Sequence, residues 1–231
     1  MTNLAHSIAI DGPTASGKTT LGKGLADSLK IGFFDTGLMY RAATLSVIDN
    51  AIDLQDTQSI IQHVQDVDLK VIWNIFSKPE IKLNATNVTK KLREKTIEDN
   101  VSTISKIPEI RTLMVEYQRN HAKLSPIVMA GRDIGTRVLV EANIKFFLHA
   151  PAEIRATRRM EELNHIGDSR SFEDVLEQTL HRDNQDQTGK RAITIEQAAD
   201  DATIVETADL SIQELINFCS DIYQKSLASN E

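Results

Sequence analysis

A segment near the start of the chain has the residue types and the spacing of a loop that binds phosphate groups. Residues Gly12–Thr19 follow an apolar run and match the pattern G-x-x-x-x-G-K-[ST]. Glycines there allow close backbone approach, and successive backbone N–H groups converge with the next helix start on phosphate oxygens. We therefore expect a nucleoside triphosphate, with Lys18 reaching its β- and γ-phosphates and the Thr19 hydroxyl binding Mg²⁺. The residues expected to bind ATP here are Gly12, Pro13, Thr14, Ala15, Ser16, Gly17, Lys18, Thr19 and Thr20.

A second group of residues that could do chemistry lies at Asp35–Arg41, directly after another apolar run. Thr36 and Gly37 have the pattern of a helix start, which would place Arg41 near the carboxyl edge of a sheet, where open α/β sheets bind ligands. A guanidinium matches phosphate oxygens bidentately and stays charged at physiological pH. The chain has no N-K-x-D segment of the kind that GTPases use to bind guanine. A small-molecule kinase is therefore the favoured class.

The elements that must position these residues are predicted by short apolar runs that alternate with amphipathic segments. This alternation favours a mostly parallel sheet covered on both faces, an α/β three-layer sandwich of the P-loop NTPase type with a five-stranded parallel sheet. The predicted strands are Ser7–Ile10, Gly32–Phe34, Ile127–Ala130, Lys145–His149 and Thr203–Val205. The predicted helices are Lys18–Lys30, Leu38–Asn50, Glu109–Lys123, Pro151–Ile166, Ser171–Asp186 and Ser211–Leu227. Pro151 suits a first helical position, and Ser211 with Glu214 forms a capping-box pattern.

One stretch interrupts the alternation of strands and helices. Val67–Asn74 and Pro79–Asn84 resemble strands at short spacing, and the following Asn84–Lys91 is polar and turn-like. We expect a small antiparallel subdomain inserted here; the alternative is surface structure without a role. The predicted division is one kinase domain, 1–231, with core segments at about 1–60, 105–150 and 200–231, an insert at about 61–104 and a helical lid at about 151–195.

Composition limits the classes of partner. The formal net charge of −7 over 231 residues argues against a protein that mainly neutralises nucleic-acid phosphates. Cys219 is the one cysteine, so neither an intrachain disulfide nor a cysteine-based zinc site can form, and its apolar neighbours predict a buried thiol. No apolar run approaches the ~20 residues of a membrane helix, and the first residues lack a leader pattern. We expect a cytoplasmic monomer that binds neither membrane nor nucleic acid.

Several motifs, in this order along the chain, resemble those of bacterial cytidylate kinases. The first two are the phosphate loop and D-[ST]-G-x-x-Y-R at Asp35–Arg41. Next come Ser102 with Pro-x-x-Arg ending at Arg111, and Gly131–Thr136, which is similar to G-R-D-[IM]-G-T. The last is Arg182-Asp183-x-x-Asp186, similar to the start of a lid motif, R-D-x-x-D-x-x-R. The inserted strands fit that family's enlarged monophosphate-binding subdomain. The resemblance implies transfer of the γ-phosphate of ATP to CMP and dCMP, with Mg²⁺ as cofactor.

The resemblance also implies a role for individual residues. Arg41 and Arg132 would bind the CMP phosphate, and Ser102, Arg111 and Asp133 would bind the cytosine edge. The other residues implied are Thr36 and Tyr40 in the acceptor pocket, Arg182 and Asp186 at the sugar and the lid, and Arg191 as a lid cation. The catalytic set is thus Lys18, Arg41, Arg132, Arg182 and Arg191. The alternatives are a solvated Arg41, an exposed Arg111, an ordinary helix serine at 102 and a structural Arg132–Asp133 ion pair.

One helix face and one carboxylate keep open alternatives. Arg155, Arg158 and Arg159 share one broad helix face, which is by default a solvated cationic face. In nucleoside monophosphate kinases such arginines approach the transferred phosphoryl group, so Arg158 is an ATP-binding candidate and Arg159 is a second one. Asp35 either orients the phosphate loop or simply ends its strand.

The sequence departs from the resembled pattern at two places. Ala130 precedes Gly131, where the family has an acidic residue that helps to place the base or the metal shell. Gly189 stands where the lid arginine is expected, so a two-residue shift would deliver Arg191, with Lys190 as the substitute. The rival functions are another small kinase, such as an adenylate, uridylate, shikimate or dephospho-coenzyme A kinase, and a nucleotide-binding regulator with weak catalysis.

Overall fold

A computed structural model describes residues 6–74, 77–165, 167–188 and 194–228. The strands are β1 Ser7–Asp11, β2 Gly32–Asp35, β3 Leu69–Asn74, β4 Ser77–Leu83, β5 Thr86–Asn87, β6 Ile127–Ala130, β7 Ile144–His149 and β8 Thr203–Glu206. The helices are α1 Lys18–Leu29, α2 Gly37–Asp49, α3 Thr57–Asp66, α4 Lys95–Lys106, α5 Pro108–Ala122, α6 Ala152–Asn164, α7 Phe172–Thr188 and α8 Ile212–Ala228. Short helical turns cover Lys91–Arg93, Ile134–Val138 and Ile195–Gln197.

Five strands form one sheet in the order β2-β6-β1-β7-β8. Every neighbouring pair runs parallel, with Ser7 opposite Ile127 and Phe146 opposite Thr203 as two of the register pairs. All five strands predicted from the sequence are present, each within one residue of its predicted ends. The carboxyl ends of the strands therefore meet at one edge, where the loops after them can converge.

Two apolar clusters cover the two faces of this sheet, because neighbouring residues of a strand point to opposite faces. In β1, Ile8 and Ile10 pack with helices α1 and α8, whereas Ala9 packs with the cluster of α2, α4 and α5. The predicted three-layer sandwich is confirmed. Cys219 is buried in the first cluster, where burial raises the pKa of its thiol to about 12.

The six predicted helices are all present, with small corrections at their ends. Pro151 is the residue before α6 and not its first helical residue, and the described helix ends at Asn164, short of Ile166, which lies outside the described residues. The predicted capping box at α8 is confirmed, since Ser211 N donates to Glu214 and Glu214 N donates to the Ser211 hydroxyl. Helices α3 and α4 were not predicted, although each is amphipathic and buries an apolar stripe, such as Ile60 and Val64 in α3.

The inserted region is a three-stranded antiparallel sheet in the order β3-β4-β5, where the sequence predicted two strands. Asn84 and Ala85 connect β4 to β5 with positive φ angles of 47° and 69°, as a two-residue hairpin requires. Ile81 and Leu83 join the core cluster that contains α2, so this sheet is not peripheral surface structure.

In the described part of the chain, no helix has the length and apolar character needed to cross a membrane.

Candidate active site

A cavity of about 790 Å³ opens at the carboxyl edge of the parallel sheet. Its walls come from the phosphate loop after β1, the segments after β2, β6 and β8, and helices α4 to α7. The predicted site residues that line it are Thr14, Ala15, Ser16, Gly17, Lys18, Thr19, Thr20, Thr36, Tyr40, Arg41, Ser102, Arg111, Arg132, Asp133, Arg158, Arg182 and Asp186. The structure thus brings together the two motif groups that the sequence places far apart.

Gly12 and Pro13, also predicted to bind ATP, are buried beneath the loop and do not line the cavity. Gly12 has a φ of +143°, and a Cβ at this position would lie 2.3 Å from the backbone oxygen of Leu148. Gly17 precedes α1 with a φ of +95°. Gly12 therefore shapes the loop from behind, because only a residue without a side chain lets the loop approach β7 this closely.

Replacing Gly12 by alanine is expected to destabilise the protein by about 1–3 kcal/mol and to weaken ATP binding, since the loop must shift away from Leu148. Thermal unfolding and ATP titration by calorimetry would measure both effects. The matched control is Gly167→Ala, because Gly167 also has a positive φ, +80°, but a Cβ there meets nothing within 4 Å. Equal effects of the two changes would show that the contact with Leu148 is unimportant.

Lys18 is the cation at the centre of the loop. Its Nζ donates to the Pro13 carbonyl and, at 3.3 Å, to the Ser16 hydroxyl. Burial, followed by the nearby charge of Arg132, lowers the pKa of Lys18 to about 7. Its surroundings disfavour the positive charge of Lys18, and an anion bound next to it would stabilise that charge. The loop is therefore suited to binding phosphate oxygens.

Asp11, at the end of β1, braces the next segment. Its carboxylate accepts hydrogen bonds of 2.7 Å from both Ile134 N and Gly135 N. Burial raises its pKa to about 6, although these two backbone donors oppose the change. The two bonds hold the segment after β6, which carries Arg132 and Asp133, against the start of the phosphate loop.

Of the two alternatives for Asp35, the structure favours contact with the phosphate loop over a residue that only ends its strand. Its Oδ2 accepts a hydrogen bond of 3.0 Å from the Thr19 hydroxyl, and its Oδ1 accepts one of 3.1 Å from Gly37 N. The carboxylate therefore links the phosphate loop to the first turn of α2.

Ala130 is opposite Asp35 in the β2–β6 register. Its side chain packs in the apolar cluster beneath the sheet, and its carbonyl accepts bonds of 3.0 Å from both Thr36 N and Thr36 Oγ1. The resembled family has an acidic residue at the position of Ala130, on β6. In this chain the carboxylate next to Thr19 is that of Asp35, on the neighbouring strand β2.

The oxygens of Thr19 and Asp35 fit the preference of Mg²⁺ for hard oxygen ligands. Within residues 6–74, 77–165, 167–188 and 194–228, no group of three or more His, Cys, Asp or Glu side chains could hold a metal. An ion bound at Thr19 would accordingly take further ligands from water and from nucleotide phosphates, as Mg²⁺ does in phosphoryl-transfer sites.

Arg132 joins the phosphate loop to α7. Its guanidinium donates to the Gly12 carbonyl at 3.4 Å and pairs with the buried carboxylate of Asp186 at 3.0 Å. The alternative of an Arg132–Asp133 ion pair is wrong, because Asp133 pairs with Arg111 instead.

Arg155 forms a second link of the same kind. It pairs bidentately with Asp183 on α7, at 2.6 and 3.2 Å, and donates to the Thr14 carbonyl at 3.3 Å. The expectation of a solvated cationic face on α6 is therefore wrong for Arg155, which is 5% exposed. Spacing on one helix could not show that the facing helix supplies carboxylates.

Arg111 and Asp133 form a buried ion pair at the inner end of the cavity, so the alternative of an exposed Arg111 is also wrong. Arg111 donates to the Ser105 carbonyl at 3.3 Å, and its guanidinium carbon lies 5.9 Å from the ring centroid of Tyr40. The Ser105 hydroxyl donates in turn to the Ser102 carbonyl at 3.3 Å. The Arg111 guanidinium, the Asp133 carboxylate and the Tyr40 ring thus lie together in this part of the cavity, where they offer hydrogen-bond donors, acceptors and an aromatic face.

On the other side of the phosphate loop, Arg158 donates to the Thr207 hydroxyl at 3.0 Å, and that hydroxyl lies 3.3 Å from the Ser16 carbonyl. The cavity continues here along apolar residues that the sequence reasoning missed, namely Leu210, Ile212 and Leu215. The start of α8 was read as an ordinary capped helix, and no local motif marks it as a wall of the site.

Arg182 faces the same cavity from α7. Burial, then Arg132 and Arg41, lowers its pKa to about 10. Its buried Nε has no hydrogen-bond partner among the described residues. Arg191, the fifth predicted catalytic residue, lies outside the described residues, as do Lys190 and Gly189.

Arg41, predicted to bind the acceptor phosphate, pairs with Glu98 on α4 at 3.1 Å, so it is not a solvated helix residue. Glu98 also binds Arg159 of α6. The sequence reasoning missed Glu98, since nothing in the residues around it marks a site.

Comparison with known proteins gives one consistent relationship. A family model described as cytidylate kinase matches residues 8–225. A cytidylate kinase of Caldanaerobacter subterraneus subsp. tengcongensis is 38% identical over 227 residues, which are 98% of this chain and 98% of the relative. One of Bacteroides fragilis is 39% identical over 225 residues, 96% of this chain and 97% of the relative. A solved structure from Eubacterium ventriosum, at 12% identity, covers 97% of this chain with a TM-score of 0.50, a likeness of fold alone.

Proposed function

The chain belongs to the cytidylate kinase family, and from that membership we propose how its residues transfer the γ-phosphate of ATP to CMP and dCMP. The observation that carries the assignment of roles is the cavity itself. In it, Lys18 of the phosphate loop shares one space with the arginines of α2, α7 and the segment after β6. Phosphoryl transfer needs positioning and charge stabilisation more than covalent chemistry, and these residues supply both.

On the donor side, we assign the phosphate loop to the ATP phosphates and Lys18 to the β- and γ-phosphate oxygens. Arg158 and the apolar residues at the start of α8 lie where the same cavity extends past Thr207, so they would hold the rest of the nucleotide. Thr19 would hold Mg²⁺, with Asp35 orienting the Thr19 hydroxyl. When bound, the ion would offset the charge of the phosphates.

On the acceptor side, we assign Arg41 and Arg132 to the CMP phosphate, where bidentate guanidinium groups would align an oxygen with the γ-phosphorus. Arg111, Asp133 and Ser102 would bind the cytosine edge, with Tyr40 and Thr36 lining the pocket. The support is that Arg111 and Asp133 are fixed against each other at the inner end of the cavity.

Arg182, together with Arg159 and Arg191, would act on the transferred phosphoryl group, and Asp186 would hold the sugar side and the lid. The depressed pKa of Arg182 supports this role, because a buried cation with an unpartnered Nε gains most from an anion that arrives during catalysis. Exclusion of water by α6 and α7 would suppress ATP hydrolysis.

We also propose that the protein acts as a monomer in the cytoplasm on small-molecule nucleotides, without nucleic acid or membrane partners. The net charge of −7 supports the absence of a nucleic-acid partner, because such a partner would need basic residues to neutralise its phosphates. The pyrimidine acceptor separates it from adenylate and shikimate kinases, and measurable turnover would separate it from a regulator with weak catalysis.

A coupled assay of ADP release with Mg-ATP tests the function, with CMP, dCMP, UMP, AMP and shikimate offered separately. We expect strong turnover with CMP and dCMP, weak turnover with UMP and none with AMP or shikimate. Chelation of Mg²⁺ by EDTA should abolish turnover, and excess Mg²⁺ should restore it. ATP binding without CMP-dependent turnover would contradict the proposal and favour the regulator.

A further inference from the structure

One carboxylate connects the arginine assigned to the acceptor phosphate, Arg41, to helix α6, which lies in the predicted lid. Glu98 lies on α4 with its side chain only 8% exposed, and its Oε1 accepts a hydrogen bond of 3.1 Å from Arg41 Nη1. Its Oε2 accepts a hydrogen bond from Arg159 Nη2. These two arginines belong to α2 and α6, so Glu98 joins three helices that are separate in sequence.

The charges around Glu98 explain why it stays ionised. Burial raises the pKa of its carboxyl, but Arg41, Arg159 and Arg182 together outweigh burial and hold the pKa below its usual range. Conversely, Glu98 is the carboxylate that Arg41 and Arg159 share. Without Glu98, the positive charges of Arg41, Arg159 and Arg182 would repel one another, and no carboxylate would be shared between Arg41 and Arg159.

The position of Glu98 shows that a substrate anion need not displace it. Arg41 and Arg159 line the cavity, whereas Glu98, which is bonded to both, does not. Among the described residues, Arg41 donates two hydrogen bonds, to Glu98 and to the Leu92 carbonyl at 3.2 Å, and both use Nη1. A guanidinium has five N–H donors on two edges, so the carboxylate can hold one edge while a phosphate binds another.

We propose that Glu98 is a positioning residue, which holds Arg41 and Arg159 in a fixed position relative to each other. Binding of the acceptor phosphate by Arg41 and alignment of α6 in the lid then depend on each other. The inference rests on the proposed function, because that function is what places a phosphate against these arginines. It predicts that Glu98 acts mainly on the rate of transfer, since Glu98 is the buried partner of the α6 arginine, whose other carboxylate partner, Glu162, is mostly exposed.

The test is Glu98→Gln, which keeps the shape of the side chain and removes its charge. A neutral amide accepts from one arginine and turns its NH₂ towards the other, so one guanidinium is released. We expect kcat with CMP to fall about 10-fold or more, as for loss of one charge-assisted contact in a transition state, with the ATP KM within about 3-fold of wild type. Glu98→Asp keeps the charge and should retain more of kcat than the glutamine variant.

The matched control is Glu162→Gln, because Glu162 pairs with the same Arg159 at 2.9 Å but is 58% exposed. An exposed pair of this kind contributes little, so kcat should stay close to wild type. Thermal unfolding of each variant shows that it is folded; if the glutamine variant does not fold, the aspartate variant carries the test by the same comparison of kcat.

Two results would overturn the proposal. A lower CMP KM with unchanged kcat would show that Glu98 competes with the acceptor phosphate and does not position arginines for it. Unchanged kinetics in folded Glu98 variants would show that the residue is only structural. Wild-type protein without CMP turnover would instead refute the proposed function, so the two failures are distinguishable.

Discussion

Lys18→Met is expected to lower kcat/KM for CMP phosphorylation by about 10²- to 10³-fold, the usual effect of removing one preorganised electrostatic donor from a transition state. Methionine keeps the length and bulk of the side chain but removes the only cation that the phosphate loop contributes. Because burial already disfavours the charge of Lys18, the fold itself should tolerate the change well. The ADP-release assay at saturating Mg²⁺ measures the loss.

Lys23→Met is the matched control for Lys18→Met. Lys23 lies on the same helix, α1, but is exposed, so its replacement should leave turnover near the wild-type value. If both variants were equally impaired, the effect would come from α1 and not from the phosphate loop. If Lys18→Met retained full activity, the assignment of the donor phosphates to this loop would be refuted.

Arg132→Met is expected to have the second large effect, because one guanidinium contacts the phosphate loop, the buried carboxylate of Asp186 and the cavity. We expect kcat/KM for CMP to fall at least about 10²-fold through lost phosphate contacts. Stability should also fall by about 1–3 kcal/mol, since the buried carboxylate of Asp186 loses its ion pair with Arg132. Steady-state kinetics and chemical denaturation measure the two losses separately.

Arg132→Lys distinguishes charge from geometry in this prediction. A lysine ammonium cannot donate to the Gly12 carbonyl, Asp186 and a phosphate in one plane, so it should restore stability more than activity. Arg137→Met is the control on the same segment, because Arg137 is exposed. Full activity of Arg132→Lys would contradict a bidentate role for Arg132.

Most of the scaffold could be predicted because it is encoded locally. In β1, alternation between Ile8, Ala9 and Ile10 fixes which residues face each side of the sheet, and the glycines fix where the phosphate loop begins. The five strands, six of the helices and the meeting of the motifs at one cavity followed from such signals. The bounds of the insert and the lid remain predictions, as do the roles of the individual residues that line the cavity.

The sequence was less informative wherever a partner lies far away along the chain. Glu98 is 57 residues from Arg41 and 61 from Arg159, so no local pattern could reveal their contact. Arg155 was expected on a solvated face, because the carboxylate of Asp183 that covers it belongs to another helix. The antiparallel strands were predicted as part of an acceptor-binding insert, yet the cavity lining from this region comes from Arg93 and α4.

The two links from the phosphate loop to α7 have a consequence for how the molecule opens. Asp183 and Asp186 lie one helical turn apart, and each binds an arginine that also donates to a loop carbonyl, of Thr14 and of Gly12 respectively. Both links join the same loop to the same helix, and opening either one separates a buried arginine–carboxylate pair, so we expect the two to open cooperatively. The nucleotide-binding loop and the helix above it are therefore one thermodynamic unit, and a change in the mobility of either is transmitted to the other.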